Sequence, residues 1–303
     1  MTIRYLNKRD VLAACKGGSV YASGGGGFYK HGIEMGEAAV ALSPVVLKTI
    51  DEFEDDDLII TQTAIGAPAG TTDWQMLGKD YVRAVELLFE KHPHPEKIKG
   101  ILTPQNGKSS STNGWLAASA LGLAVVDATG DIRAHPTGKM GNMGVANDTS
   151  YETIQAVSGG RRETGRHIEL SVQGTAAYTS KILRIASDLS GGFIAAARHP
   201  LKASYIKENA VISGLSRAIE LGYRILDHEE EGATSVIDAI VEQTQGEVLA
   251  RGKVISKDMT YTAEAFDVGQ VKVSTGEDIF TIHVQNEYMA VDSLEQGRVA
   301  TYP

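Results

Sequence analysis

Asp127, Asp131, Arg133 and His135 fall within one stretch of nine residues, the densest run of chemically active side chains in the sequence. Two carboxylates, a guanidinium and an imidazole in that order can supply a general base, an orienting cation and a proton shuttle. His135 has the ordinary pKa nearest neutrality, so it is the readiest shuttle. The competing reading is a solvated loop in which Asp127 caps the next helix and Arg133 pairs with Asp131. A second feature is Ser23-Gly24-Gly25-Gly26-Gly27-Phe28, whose backbone amides at Gly25, Gly26 and Gly27 can cradle an anion or an oxyanion. It is not a dinucleotide fingerprint, because Tyr29 stands where the third glycine is needed. Asn106-Gly107-Lys108-Ser109 likewise lacks the upstream glycine of a Walker A loop, that position being Leu102. Asn286 and Glu287 follow an extended run, where they either line a pocket at a domain boundary or terminate a sheet edge.

No two of the eight histidines have metal-ligand spacing on a helix. The sequence therefore predicts no metal site and no cofactor. A divalent metal could be held only by distant ligands gathered around Asp127 and His135, which spacing does not support.

The elements that must position these groups alternate in type along the first half. Ser19 to Ser23 reads as a strand broken by the glycines. Ile33 to Leu42 reads as a helix, Leu58 to Thr63 as a strand, and Lys79 to Lys91 as an amphipathic helix stopped by the His92-Pro93-His94-Pro95 segment. Ile98 to Leu102 is a strand, Asn106 to Asn113 a polar loop, Gly114 to Leu121 a small-residue helix, and Leu123 to Val126 a buried strand ending at Asp127. Such alternation predicts βαβ units, with ligands at the carboxyl ends of the strands. The second half reads as an extended run at His167 to Gln173, a mostly helical stretch from Lys202 to His228, then short strands at 248–250, 253–256, 269–273 and 279–284. Thr275 to Asp278 predicts a hairpin turn. The expectation is an α/β fold in two domains. Residues 1–150 form an α/β domain with a largely parallel or mixed sheet. Residues 151–303 form a domain of helices and a mainly antiparallel sheet.

Composition narrows the function classes. The 303 residues carry 29 Lys and Arg against 38 Asp and Glu, a net charge of −9, which disfavours a nucleic-acid partner. One cysteine, Cys15, excludes an intramolecular disulfide and a thiolate zinc cluster. No apolar run is long enough for a membrane span and no signal-like segment opens the chain, so a cytoplasmic protein without a membrane partner is expected. The 33 glycines exceed the ~21 of average usage and are assigned to loops needing positive φ or close approach.

Several of these pieces, in order, resemble one family. They are Gly24 to Gly27, Gly66-Ala67-Pro68, Ala120 to Leu123, Val125-Val126-Asp127-Ala128, Arg133-Ala134 with Pro136, Gly192 to Arg198, Gly252-Lys253-Val254, and Gln285-Asn286-Glu287. Together they resemble the S-methyl-thiohydantoin desulfurase family over nearly the whole chain. The resemblance implies two domains, a link to thiohydantoin and hydantoin breakdown beside hydantoinase-type enzymes, and hydrolytic attack on a cyclic amide or thioamide carbon. Gln105 stands where the family has a glutamate opening its polar loop. Asp127-Ala128-Thr129-Gly130 stands for its Asp-Ala-Asp-Gly, and Thr137 for a later acid, while Asp131 and His135 are additions. The chain ends at Val299 to Pro303, where family members continue.

The expected activity is hydrolysis of a small heterocycle of the hydantoin, thiohydantoin or lactam type. Asp127, Asp131 or His135 would activate water and Arg133 would orient the substrate. Gly25, Gly26, Gly27, Gln105, Asn106, Ser110, Asn113, Asn286 and Glu287 are the candidate substrate-binding residues. The alternative is a non-catalytic, ligand-binding accessory subunit of a hydantoinase-type assembly. A homo-oligomer is expected in either case.

Overall fold

Short apolar runs alternating with amphipathic helices build the centre of the molecule, as a parallel sheet buried on both faces requires. The computed structural model describes residues 4–66, 76–135, 140–262 and 266–301. Strand β1 (Arg4–Leu6) leads into helix α1 (Lys8–Tyr21), which starts at a capping box formed by Asn7 and Asp10. After the glycine turn come α2 (Tyr29–Leu42), β2 (Val45–Lys48), β3 (Leu58–Gly66), α3 (Gly78–Lys91), β4 (Ile98–Gln105), α4 (Trp115–Leu121) and β5 (Ala124–Asp131). Strands β2, β5, β4 and β3 lie adjacent and parallel, burying Val125, Val126, Ile101, Leu102, Ile59 and Ile60.

The large sheet continues past residue 150. Strands β6 (Glu152–Gly159), β7 (Ile168–Thr175) and, after helix α5 (Ala176–Ser190), β8 (Phe193–Lys202) join it antiparallel, in the order β1-β2-β5-β4-β3-β8-β6-β7. Helix α6 (Ala203–Asn209) precedes β9 (Val211–Ile212), which pairs with β5, and helices α7 (Gly214–His228) and α8 (Ala233–Thr244) follow. Five strands then form a separate antiparallel meander: β10 (Lys253–Tyr261), β11 (Asp267–Ser274), β12 (Ile279–Gln285), β13 (Glu287–Ser293) and β14 (Gly297–Thr301). The architecture is thus mixed α/β with a second, all-antiparallel sheet, and the hairpin turn at Thr275 to Asp278 joins β11 to β12.

Four local expectations are corrected. Residues 19–21 end helix α1 and are not a strand. Gly17, assigned above to a loop, lies inside this helix because α1 packs closely on α7: a Cβ at Gly17 would stand 1.9 Å from the Ala218 carbonyl oxygen, and one at Gly222 1.8 Å from that of Ala13. Strand β5 also runs through Asp127 to Asp131 instead of ending at Asp127. Residues 248–250 are not in a strand, whereas β10 extends to Tyr261.

Candidate functional site

A cavity of about 610 Å³ lies where the small sheet meets the large one. Its floor is made by two loops that hold each other. In the glycine turn Gly24, Gly26 and Gly27 have φ of 92°, 77° and 83°, values that a side chain would strain. The carbonyl of Gly26 accepts hydrogen bonds from the amides of Ser109 (2.9 Å) and Ser110 (3.2 Å), and Lys108 Nζ donates to the Gly24 carbonyl at 2.8 Å. A Cβ at Gly26 would come within 2.4 Å of Gly107 Cα, so both positions need glycine for the loops to touch.

The small sheet docks on this floor through the bend between β12 and β13. The Tyr288 amide donates to the Ser23 carbonyl at 2.7 Å, and the Arg133 guanidinium donates to the Tyr288 carbonyl. Asn286 sits in the left-handed region (φ 59°). It holds the bend by exchanging two bonds with Asp267: its amide donates to the Asp267 carbonyl at 2.7 Å, and its Oδ1 accepts from the Asp267 amide at 2.8 Å. This arrangement presses Glu287 against the glycine turn, where a Cβ at Gly25 would stand 2.1 Å from Glu287 Oε1.

Glu287 is only 3% exposed. Burial pushes its carboxyl up to about 8, although Arg133, Arg184 and Lys108 pull the other way. The group is therefore mainly protonated at neutral pH. Its Oε2 is buried without a hydrogen-bond partner among the described residues. Burial likewise lowers the Lys108 ammonium, against the opposing pull of Glu287. On the far wall Arg198 is lowered to about 10, first by burial and then by the Arg184 charge. Its Nη2 donates to Ser180 Oγ at 2.8 Å and its Nε to Gln155 Oε1, which fixes the guanidinium plane.

Of the residues singled out from sequence, Gly25, Gly26, Gly27, Gln105, Ser110, Asn113, His135, Asn286 and Glu287 line this cavity. Gln105 Oε1 accepts the His135 amide at 2.9 Å, which ties the end of β4 to the segment after β5. Asn113 is oriented with its amide nitrogen donating to Ser109 O (2.8 Å) and Tyr81 Oη (3.0 Å), and with its oxygen accepting from the Ala64 amide (3.3 Å). The Gly25 amide is used within the turn, donating to Ala22 O at 3.1 Å.

Four of the singled-out residues lie away from the cavity lining, Arg133 among them, where it bonds to the Tyr288 carbonyl. Asp127 has both oxygens engaged, Oδ1 by the Ser216 amide (2.8 Å) and Oδ2 by Ser216 Oγ (2.7 Å). It caps α7 across the fold, so the helix-capping alternative describes its observed contacts, with α7 in place of the next helix in sequence. Asn106 is fully buried and its amide donates to Ile132 O (3.0 Å) and Gly214 O (3.2 Å), which is a structural role. Asp131 Oδ1 accepts the Asn142 amide at 3.0 Å, and burial raises its carboxyl against the opposing pull of that bond and of His135. Ala67, Pro68, Pro136, Thr137, Tyr302 and Pro303 lie outside the described residues.

Sequence reasoning missed Lys108, Arg184 and Arg198. Asn106-Gly107-Lys108-Ser109 fails as a nucleotide loop, and nothing else in the spacing marks Lys108 as a site residue. Arg184 follows Ser180 by one helical turn of α5, a spacing that becomes informative only once the buried face is known. Among the described residues, no group of three or more His, Cys, Asp or Glu side chains is placed to hold a metal ion, and no helix is long and apolar enough to cross a membrane.

Comparison with known proteins gives matches along the whole length. A family described as S-Me-THD-like, N-terminal domain, matches residues 9–163, and one described as S-Me-THD-like, C-terminal domain, matches residues 174–303. The chain is similar to a crystal structure of a protein from Chromobacterium violaceum, with 22% identity and a TM-score of 0.70, over 99% of this chain and 80% of that one. At that identity the likeness speaks for the fold alone. No curated protein matches the chain.

Proposed function

We infer the function from one premise: the chain belongs to the S-Me-THD-like family, matched in both halves. The reading is a hydrolase of small cyclic amides or thioamides, of the hydantoin, thiohydantoin or lactam type. The observation that carries it is Glu287, a buried carboxyl kept protonated near neutrality on the wall of a cavity large enough for such a ring.

In this reading water attacks the ring carbonyl or thiocarbonyl carbon. His135 takes the proton of the water as its oxygen bonds to carbon. The developing negative charge is met by the Lys108 ammonium and the amides of Gly26 and Gly27. As the bond from carbon to ring nitrogen breaks, Glu287 gives its proton to the nitrogen. Where sulfur departs instead, Glu287 protonates it, and it leaves as hydrosulfide while the new hydroxyl releases its proton to solvent and becomes the carbonyl. Solvent then returns the proton from His135 to Glu287, which restores both groups. Arg133 positions Glu287 by holding the Tyr288 carbonyl. Asp127 takes no part, because Ser216 occupies both of its oxygens.

The test is a turnover screen on paired hydantoins and thiohydantoins, following thiocarbonyl absorbance and released sulfide, with wild type and Glu287→Gln. Turnover that Glu287→Gln lowers by at least ~100-fold supports the reading. Wild-type rates in Glu287→Gln sink the role of Glu287. Tight ring binding without turnover by folded wild type returns the chain to the accessory-subunit alternative.

A further inference from the structure

Helix α5 carries a line of large apolar side chains on its outer surface. Tyr178, Ile182, Ile185 and Leu189 are 70%, 42%, 62% and 60% exposed. Their spacing of four, three and four residues is the seam spacing of paired helices. The inner face of the same helix is already buried on the large sheet through Thr179, Leu183, Ala186 and Ser187. Single exposed apolar residues are ordinary, but four in one stripe mark a docking surface.

We propose that this ridge docks a second copy of the chain, α5 against α5, antiparallel about a two-fold axis. An axis through the middle of the ridge sets Ile182 against Ile185 of the second copy and Tyr178 against its Leu189. The flanking charges select both the occupant and the direction. Lys181 and Asp188 are exposed, lie seven residues apart on one side of the stripe, and each precede a ridge residue. In an antiparallel pair that side faces its own copy, so Lys181 meets Asp188 of the second copy and the two-fold repeats the contact. A parallel pair would instead set Lys181 toward Ala186, which is buried in its own subunit. Both charges are already held along the ridge: Lys181 Nζ lies 5.0 Å from the Tyr178 ring centroid, and Asp188 Oδ1 accepts from Tyr261 Oη at 3.1 Å. Ser180 and Arg184 project from α5 into the cavity, so the second copy braces the wall behind the site.

Sedimentation equilibrium of the full chain tests this, from about 1 to 100 µM, with Ile185→Glu, Lys181→Glu, Asp188→Lys and the double reversal. The expected result is a wild-type dimer. Ile185→Glu should raise its Kd on the order of 100-fold by burying a charge at the seam. Each single reversal should weaken it on the order of fivefold, and the double reversal should restore it. Circular dichroism melting checks that the variants fold. Should Ile185→Glu unfold, the charge reversals alone decide. A wild type that stays monomeric overturns the proposal, as does a dimer indifferent to a folded Ile185→Glu. A double reversal no better than the singles overturns the antiparallel arrangement.

Discussion

Glu287 is a buried carboxyl held far above its ordinary value on the wall of the cavity. Its carboxyl is raised to about 8 from 4.5, so between those values the folded chain holds a proton that the unfolded chain releases. Stability from this group is therefore full below about pH 4 and is lost as pH rises through about 8. Urea denaturation of wild type should show ΔG falling by a few kcal/mol from pH 5 to pH 8. Glu287→Gln, which cannot ionise, should flatten that slope, and an unchanged slope would place the proton elsewhere. If Glu287 acts as the acid, turnover should also fall above about pH 8 as its proton is lost. Asp127 gives the opposite expectation at the same scale. Asp127→Asn should destabilise by about 1–2 kcal/mol through the α7 cap, while turnover per folded molecule stays within about threefold. A 100-fold loss of turnover in a folded Asp127→Asn protein would restore it to the catalytic set.

Packing between elements explains glycines that look like loop residues in the sequence. Gly17 and Gly222 let the backbones of α1 and α7 touch, and a methyl group at Gly222 would meet the Ala13 carbonyl at 1.8 Å. Gly222→Ala should therefore destabilise the chain by at least about 3 kcal/mol, since backbone cannot move aside as a flexible side chain can. Thermal melting checks this. Gly122 is a useful contrast, because a Cβ there meets nothing within 4 Å and only its φ of 69° opposes a side chain. Gly122→Ala should cost about 1 kcal/mol. Gly222 has ordinary helical backbone and no positive φ to strain, so a loss there no larger than that at Gly122 would mean that α1 and α7 can part at little cost.

Across the whole molecule, the site depends on one sheet being seated on the other. Arg133, from the segment after β5, and Ser23, at the glycine turn, both bond to Tyr288 of the small sheet. Arg133→Ala should loosen that seat without unfolding either sheet. The expected signs are a KM raised about tenfold and faster hydrogen exchange at the amides of Asn286 to Tyr288. Unchanged exchange there would show that the remaining contacts of the bend suffice.

Hydrophobic periodicity, turn chemistry and composition made much of this architecture legible from sequence alone. The central strands, the amphipathic helix α3 and the β11–β12 hairpin declare themselves through local patterns of apolar and turn residues. The nine cavity-lining residues singled out from sequence came from loops and strand ends, where ligands gather in such folds. The rest needed tertiary structure, because it depends on contacts between residues far apart in the chain. Ser216 turned Asp127 from a candidate base into a cap from 89 positions away. Glu287 has its raised pKa only because the small sheet presses it against Gly25 and buries it. A carboxylate's ordinary chemistry is written in its residue type, but its desolvation is set by what the fold places around it.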